Sequence, residues 1–522
     1  MKILLISPKS EFPTVGLAYI SAAMKQAGHE VECIPHGDLE TLQRVLPTKK
    51  FDFVATGGIS LYLKFFREAI LIAKKNKVPT ILGGGVVSSD PELIVPTLKP
   101  DFAVLGEGEK TIVDLLSNFE KSGDPESVNG IAFLKDGRLI KTPDQTPISD
   151  LDSLPYPDWE GTFLSSYLDR AKSSDALGME FFDYPRTYPL LGARSCPFHC
   201  TFCYHPIGQK YRQRSLNSIF GELEIMIPRY KINYLGIFDE LFSSSEERIL
   251  EFCHRFDILR RKFAWDIGWA CQIRVDKLSE EMLDAMKKSR CVLASYGFES
   301  YSPRVLESMK KHITPAQISR AVEITQKRGM ALQAVFIFGD KAENLETANE
   351  TLDFWKKHKS AGIVLGFLFP LPNSKLFQYC IQKGIIKDRL KYIENHLRDP
   401  INVTDLSDWD FARLMTMVEL ARLKYSRKST PIEVGKDFVK VVCPYCKKCN
   451  DYRNYDITFD NAGLFRIPAS TSFFNKMVYC RSCSRRFFMS SKLFRLFSRL
   501  VQAFLNPIIS FLHIKKTNYE LK

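Results

Sequence analysis

The chain has no long apolar segment and few features of an exported protein. Its first residues, Met1–Ser7, read as a short buried strand and not as the apolar part of a secretory signal. Near the end of the chain, Leu500–Ile514 has no Lys, Arg, Asp or Glu, but it is 15 residues long and contains Pro507. A bilayer span needs roughly 20 residues. Eight of the thirteen cysteines occur in clustered spacings, which favours a reducing cytoplasm over a disulfide framework.

Excess positive charge is absent from most of the chain. The formal net charge is +13, yet residues 436–522 hold 16 Lys and Arg against 5 Asp and Glu, a net of +11. The rest is therefore close to neutral, so the charge does not by itself predict a nucleic-acid-binding protein. The basic, Phe/Leu-rich tail at 491–522 is predicted to dock on the protein's own body. Peripheral contact with the inner membrane face is the alternative.

Short apolar strands alternate with helical patterns in residues 1–150. Such alternation predicts an α/β domain with a doubly wound, parallel, Rossmann-like sheet. Glycine clusters follow several strands, so we expect them at the carboxyl edge of the sheet, where such folds bind ligands. No G-x-G-x-x-G follows the first strand, which argues against a dinucleotide site.

A second strand–helix array follows a connector at 151–186. Residues 187–385 contain six candidate strands and predict a partial (β/α)6 barrel, whose chemistry would lie at the carboxyl ends of the strands. The expected strands include Pro189–Ala193 and Trp265–Ala270. We expect a helical extension at 386–435 and a small ribbon domain at 436–490.

Three cysteines, Cys196, Cys200 and Cys203, form a C-x3-C-x2-C motif just after the first of these strands. Three thiolates are one short of the four that usually hold an iron–sulfur cluster or a structural zinc. Zinc bound with His199 or His205, and three buried structural cysteines, are the alternatives.

This motif, with Phe202 before its last cysteine, resembles the radical SAM superfamily. The resemblance implies a 4Fe-4S cluster whose open iron binds the amino and carboxylate groups of S-adenosylmethionine. It further implies an electron donor such as flavodoxin or ferredoxin. Reduction would cleave the sulfonium and release a 5′-deoxyadenosyl radical.

The resemblance also implies a set of S-adenosylmethionine contacts at the strand ends. Acidic groups suit the ligand's ammonium, and an arginine suits its carboxylate. Solvated loop charges are the alternative interpretation of each. The implied contacts are Phe202, Asp239, Glu240, Arg274, Glu299 and Ser300.

The N-terminal region is similar to the cobalamin-binding domain that precedes many radical SAM domains. The similarity lies in Phe12–Tyr19, Thr56–Ser60, Leu82–Gly85 and Leu105–Glu109. The D-x-H-x-x-G motif is absent, so cobalamin would bind without that axial histidine, and an empty domain is the alternative. The implied cobalamin contacts are Pro13, Gly16, Leu17, Gly57, Ser60, Gly83, Gly84, Gly85, Gly106, Glu107 and Gly108.

Two C-x2-C pairs, Cys443 with Cys446 and Cys480 with Cys483, lie in the basic region. The spacing resembles a zinc ribbon with a four-thiolate structural site. An auxiliary iron–sulfur cluster is the alternative, and Cys449 is a spare thiol or a substitute ligand.

Together these resemblances imply a cobalamin-dependent radical SAM enzyme that methylates an unactivated carbon of a small-molecule or lipid substrate. Cyclisation or rearrangement, RNA modification using the basic ribbon, and a non-catalytic cobalamin or metal sensor are the rival functions. Methylthiotransferase activity is disfavoured because only Cys33 precedes Cys196.

Overall fold

The computed structural model describes residues 1–10, 12–174, 178–397, 399–457 and 474–501. They form two compact units. Unit 1 comprises 1–169, 194–222 and 369–399, and unit 2 comprises the rest of the chain. No helix among the described residues is both long and apolar enough to cross a bilayer. Most of the tail that was predicted to dock, from residue 502 onward, lies outside the described residues.

Unit 1 contains a seven-stranded sheet. Its order is β2-β1-β3-β4-β5-β6-β7. The first five strands are parallel, and β6 and β7 form an antiparallel hairpin at the edge. The 2-1-3-4-5 order is that of flavodoxin-like folds, which confirms the predicted doubly wound sheet. The strands are β1 Lys2–Ile6, β2 Glu30–Ile34, β3 Phe53–Gly57, β4 Thr80–Gly83, β5 Phe102–Val104, β6 Ile131–Lys135 and β7 Arg138–Lys141.

Apolar side chains cover both faces of this sheet, because parallel strands are buried on both sides. One core cluster joins Leu5 and Phe53 to Leu17 and Leu115 on two helices, and another joins Leu4 and its neighbours to the helices on the opposite face. The helices of this region are Val15–Gln26, Leu39–Val45, Leu63–Lys75, Gly85–Ser88, Pro91–Leu98, Gly108–Glu120 and Leu164–Arg170.

Unit 2 is built on six parallel strands in simple chain order, β13-β12-β11-β10-β9-β8. This confirms the predicted parallel sheet of the second array. The strands are β8 Thr187–Leu190, β9 Tyr234–Ile237, β10 Gly268–Ile273, β11 Cys291–Glu299, β12 Ala331–Phe338 and β13 Ile363–Phe367. The helices of this array are Leu216–Tyr230, which begins in unit 1, Glu246–Arg260, Glu280–Lys288, Pro303–Ser308, Pro315–Lys327 and Leu345–Lys357. Helix Lys375–Gln382, which follows β13 in the chain, belongs to unit 1.

Two strand boundaries were wrong. The predicted Pro189–Ala193 ends at Leu190 instead, because the Gly192 N–H donates to the Asp239 carboxylate (2.8 Å) and not to a neighbouring strand. The predicted Trp265–Ala270 begins only at Gly268. The Trp265 side chain, which is 36% exposed, donates its indole N–H to the carbonyl of Ile232, in the turn before β9 (2.7 Å).

Among its described residues, the C-terminal part of unit 2 adds one long helix, two antiparallel hairpins and a short helix. Each hairpin gains a short third strand, Glu433–Val434 for the first and Lys428–Ser429 for the second. Tyr479 in the second hairpin donates its hydroxyl to the Leu332 carbonyl (2.7 Å), near the amino end of β12. The Arg481 guanidinium donates twice to the Glu180 carbonyl (2.9 and 2.7 Å). The hairpins therefore pack on the side of the sheet where its strands begin. The elements are Asp408–Tyr425, Phe438–Val442 with Cys449–Arg453, Asn475–Tyr479 with Arg486–Ser490, and Lys492–Leu500.

Two carboxyl groups, Asp340 and Glu343, are buried just after β12. Glu343 is 3% exposed and accepts hydrogen bonds from the Thr347 hydroxyl (2.8 Å) and the Gly339 N–H (3.3 Å). Burial raises the pKa of Glu343 from 4.5 to about 7, and the neighbouring Asp340 contributes. Burial likewise raises the pKa of Asp340.

We therefore expect Glu343 to make stability depend on pH. Because the folded state holds this proton more tightly, the stabilisation is complete below pH 4.5 and is lost as the pH rises through 7. Once the pH is well above 7, the loss amounts to roughly 3 kcal/mol. Glu343→Gln should keep more of its thermal stability than the wild type between pH 5.5 and 8. The exposed Glu323→Gln is the control, and identical pH profiles for Glu343→Gln and the wild type would contradict the assignment.

Candidate functional site

The three cysteines of the C-x3-C-x2-C motif lie on a turn that follows β8 in the chain. Ser195, just before Cys196, is buried and has a φ of +64°, which turns the chain sharply as it enters the loop. Within the loop the Cys203 N–H donates to the Cys200 carbonyl (3.2 Å). All three cysteines and Phe202 are half-buried. A tight, partly sheltered loop of thiols suits a cluster that must remain accessible to a ligand.

Other parts of unit 1 hold this loop in place. The Leu376 N–H donates to the Thr201 carbonyl (2.9 Å). The Tyr204 hydroxyl lies 3.2 Å from the Ser89 hydroxyl, and a methyl group on Gly85 would collide with the Tyr204 ring and hydroxyl. The residue after the last cysteine thus packs on the glycine loop that follows β4, which explains the glycine at position 85.

Arginines flank the loop on both sides, and both pair with Glu107. Arg194 Nη1 lies 3.2 Å from Glu107 Oε1, and Arg212 Nη1 lies 2.8 Å from Glu107 Oε2. Arg194 also pairs with Glu109. These four side chains, which we call the charged quartet, are only 5 to 12% exposed.

The charges in the quartet stabilise one another. Burial opposes ionisation of Glu107, but the hydrogen bond from Arg212 and the charge of Arg194 hold its pKa below the usual value. Burial also opposes the charge on Arg194, and Glu109 and Glu107 more than compensate, so its pKa is raised. Both groups are therefore charged at neutral pH. Sequence reasoning assigned Glu107 to cobalamin and missed both arginines, although Arg194 stands two residues before Cys196.

The glycines at the carboxyl edge of the unit 1 sheet serve different purposes. Gly57 packs on the backbone of Gly83, and Gly84, with a φ of +83°, packs on the backbone of Gly58. In contrast, a Cβ at Gly16 or at Gly106 would have no protein atom within 4 Å. Gly16 and Gly106 are therefore the positions that leave open space for a large ligand.

The remaining residues assigned to cobalamin have mixed surroundings. Leu17 is part of the apolar core. Ser60 is buried at the start of a short helical turn, and Pro13 is half-buried. A Cβ at Gly108 would come within 2.8 Å of Ile20, so helix packing accounts for that glycine.

In unit 2, the residues assigned to S-adenosylmethionine lie at or just after the carboxyl ends of β9, β10 and β11. Asp239 is buried, whereas Glu240 is exposed. Glu299, with a φ of +64°, accepts a hydrogen bond from Lys311 (2.8 Å). Arg274 pairs with Asp276 (2.8 Å) and donates to the Lys311 carbonyl (3.2 Å).

Lys311 thus joins Arg274 to Glu299, and sequence reasoning missed it because it lies in no motif. Ser300, next to Glu299, has its hydroxyl 3.1 Å from that of Thr351. These side chains form a polar, hydrogen-bonded edge at the carboxyl ends of the strands, as a ligand with an ammonium and a carboxylate requires.

The two C-x2-C pairs form one compact group of four thiols. Cys443 Sγ lies 3.8 Å from Cys483 Sγ, Cys446 Sγ lies 3.6 Å from Cys480 Sγ, and all four sulfurs are within 4.8 Å of one another. Four sulfurs at about 2.3 Å from one tetrahedral zinc would be about 3.8 Å apart. The spacing therefore fits a single metal ion. Cys449 is exposed and is not a member of this group.

Comparisons with known proteins agree with this arrangement. Residues 1–116 match the B12 binding domain, and residues 191–354 match the radical SAM superfamily. An uncharacterized methyltransferase of Pyrococcus horikoshii is 29% identical over 408 residues, covering 74% of this chain and 84% of the relative. An anaerobic magnesium-protoporphyrin IX monomethyl ester cyclase of Rubrivivax gelatinosus is 26% identical over 420 residues, covering 75% of this chain and 72% of the relative.

A similar fold occurs in the radical S-adenosylmethionine methyltransferase TsrM of Kitasatospora setae, solved with cobalamin and a [4Fe-4S] cluster bound. The TM-score is 0.59 at 17% identity, and the match covers 72% of this chain and 75% of that one. The implied cofactors are thus a 4Fe-4S cluster, S-adenosylmethionine and cobalamin. The chain therefore combines a B12-binding domain with a radical SAM domain that follows it, the arrangement of cobalamin-binding radical SAM enzymes.

Proposed function

We propose that this enzyme transfers a methyl group to an unactivated carbon of a small-molecule or lipid substrate. The observation that carries the proposal is the packing of the cysteine loop on the glycine edge of the B12-binding domain, through Tyr204 and Gly85. Such packing suits chemistry in which a radical generator and a methyl carrier act on one substrate.

Each cofactor has candidate residues. Cys196, Cys200 and Cys203 would hold the cluster, and Gly16 and Gly106 would let the backbone approach cobalamin closely. In unit 2, Glu299 and Asp239 would accept hydrogen bonds from the ammonium and ribose groups of S-adenosylmethionine, and Arg274 would orient its carboxylate. When bound, these groups supply a carbon-centred radical and a methyl group.

The cyclase relative supports a second candidate, radical cyclisation, since that protein is 26% identical over 420 residues. Both candidates need a one-electron donor, for which a flavodoxin or ferredoxin is the natural class. Peripheral membrane contact through the basic tail stays a prediction. In its favour, helix Lys492–Leu500 exposes Leu493, Leu496 and Leu500 beside exposed Lys492 and Arg499.

We further propose that Cys443, Cys446, Cys480 and Cys483 hold a structural zinc. Their sulfur spacing suits one tetrahedral ion, whereas a cubane cluster would spread four thiolates over four separate irons. Because the hairpins bond to Leu332 and Glu180, the metal would stabilise unit 2 without taking part in the reaction.

Anaerobic reconstitution with iron, sulfide and cobalamin tests the reaction. With reductant and S-adenosylmethionine, the wild type should form 5′-deoxyadenosine, and Cys200→Ser should reduce both bound iron and this product to background because one cluster ligand is lost. Cys449→Ser is the matched control. Unchanged iron content and cleavage in Cys200→Ser would refute the assignment.

The same assay separates the candidate reactions once cell extract is added as a source of substrate. Methyl transfer should yield S-adenosylhomocysteine together with 5′-deoxyadenosine. Deoxyadenosine without S-adenosylhomocysteine would reject methylation and favour cyclisation. Neither product, despite an intact cluster, would favour a sensor.

Gly16→Ala tests the cobalamin assignment. Gly16 lies in the first turn of helix Val15–Gln26 and its Cβ position is open, so alanine should not destabilise the apoprotein and adds at most about 1 kcal/mol of helix stability. We expect weaker cobalamin binding, by about tenfold or 1.4 kcal/mol, measured from the absorbance of retained cobalamin. Gly84→Ala should instead destabilise the apoprotein by collision with Gly58. If Gly16→Ala retains as much cobalamin as the wild type, Gly16 is not part of the cobalamin site.

Cys443→Ser tests the structural metal. The variant should lose zinc and about 2–4 kcal/mol of stability, a fall of roughly 5–10 °C in thermal midpoint, because a structural zinc contributes to folding directly. Metal analysis and thermal unfolding are the measurements. Cys449→Ser should retain one zinc per chain, and iron in place of zinc in the wild type would support the auxiliary cluster instead.

A further inference from the structure

The buried Glu107 carboxylate contacts both ends of the cysteine loop, which also lie in two short paired strands, Ala193–Arg194 and Arg212–Gln213. Glu107 Oε1 is 3.2 Å from Arg194 Nη1, before the loop, and Glu107 Oε2 is 2.8 Å from Arg212 Nη1, after it. The seventeen residues 195–211, including all three cysteines of the motif, lie between these two arginines. Closing a loop at its ends removes much of its conformational freedom.

The other contacts of Glu107 and Arg212 make this closure firm. Glu107 Oε2 also accepts the Ile148 N–H (2.8 Å), and Arg212 Nη1 also donates to the Ile148 carbonyl (2.7 Å). Both oxygens of Glu107 therefore already have donors from the protein. Because its oxygens are occupied, Glu107 is better explained as a residue that holds the loop than as the cobalamin contact that the sequence suggested.

Glu109 strengthens one side of the closure. It pairs with both terminal nitrogens of Arg194, and its side chain is 7% exposed. Because buried charges depend on their partners, loss of one member leaves the others poorly compensated. The loop should therefore respond to a change at Glu107 or Glu109, although both lie about ninety residues before it in sequence.

We propose that Glu107 and Glu109 are positioning residues that fix the cysteine loop on the B12-binding domain, and so keep radical formation coupled to methyl transfer. The coupling part rests on the proposed function, whereas the fixing of the loop does not. Arg194 and Arg212 transmit the constraint, since each stands next to the loop and neither is a cluster ligand.

Hydrogen–deuterium exchange on the full-length protein tests the fixing of the loop. In Glu107→Gln and Glu109→Gln, peptides within 195–211 should take up deuterium about tenfold faster or more than in the wild type, with exchange in β8–β13 unchanged. Asp90→Asn is the matched control. It weakens another buried carboxylate–arginine pair of unit 1, with Arg389 (2.8 Å), that does not flank the loop, so loop uptake should stay at the wild-type rate.

Wild-type uptake in both glutamate variants would overturn the proposal, as would an equal increase in Asp90→Asn. If Glu107→Gln fails to fold, the exchange rates of Glu109→Gln decide whether the proposal holds, because this variant leaves the Glu107–Arg212 pair intact.

In the reconstituted enzyme, the two glutamate variants should also change the electron paramagnetic resonance spectrum of the reduced cluster on addition of S-adenosylmethionine. They should also raise the ratio of 5′-deoxyadenosine to S-adenosylhomocysteine.

Suppose that loop exchange becomes faster but the spectrum and the ratio of 5′-deoxyadenosine to S-adenosylhomocysteine stay unaltered. The quartet would then only stabilise the loop, and its proposed effect on the coupling of radical formation to methyl transfer would be rejected. If the wild type forms no S-adenosylhomocysteine but the exchange result holds, the proposed methyl transfer fails while the fixing of the loop stands.

Discussion

The free-energy cost of burying a charged side chain determines which residues must contact one another in the candidate site of unit 1. An ionised carboxylate is tolerated in a protein interior only when cations and hydrogen-bond donors replace its water. Glu107 meets that condition through Arg194, Arg212 and the Ile148 N–H. The requirement for partners therefore ties a helix start of the first domain to the two ends of a loop that begins nearly ninety residues later.

The overall fold could be predicted from the sequence because its signals are local. Short apolar strands alternating with helical patterns lead to parallel sheets whatever the details of packing, and C-x3-C-x2-C or paired C-x2-C spacings are visible within a few residues. Boundaries depended on more distant groups. Trp265 is an aromatic residue of the kind common in strands, but its indole N–H donates to the Ile232 carbonyl in the turn before β9. The Gly192 N–H likewise donates to the Asp239 carboxylate.

The candidate site was only partly predictable for the same reason. The residues that sequence reasoning missed, Arg194, Arg212, Tyr204 and Lys311, acquire their significance from partners far away in the chain. The glycines illustrate the ambiguity of a motif. Gly57 and Gly84 avoid collisions between neighbouring backbones, whereas Gly16 and Gly106 face open space. The sequence alone does not distinguish these two roles of glycine.

The contact of Tyr204 with Gly85 and the separate charged quartet also bear on protein engineering. A chimaera that receives its cysteine segment from another enzyme of this superfamily would bring different flanking side chains to the B12-binding domain. Without a tyrosine that fits over Gly85, and without arginines to match Glu107 and Glu109, the recipient would keep two uncompensated acids in its interior. The segment and its acceptor surface are therefore best exchanged as one inherited unit.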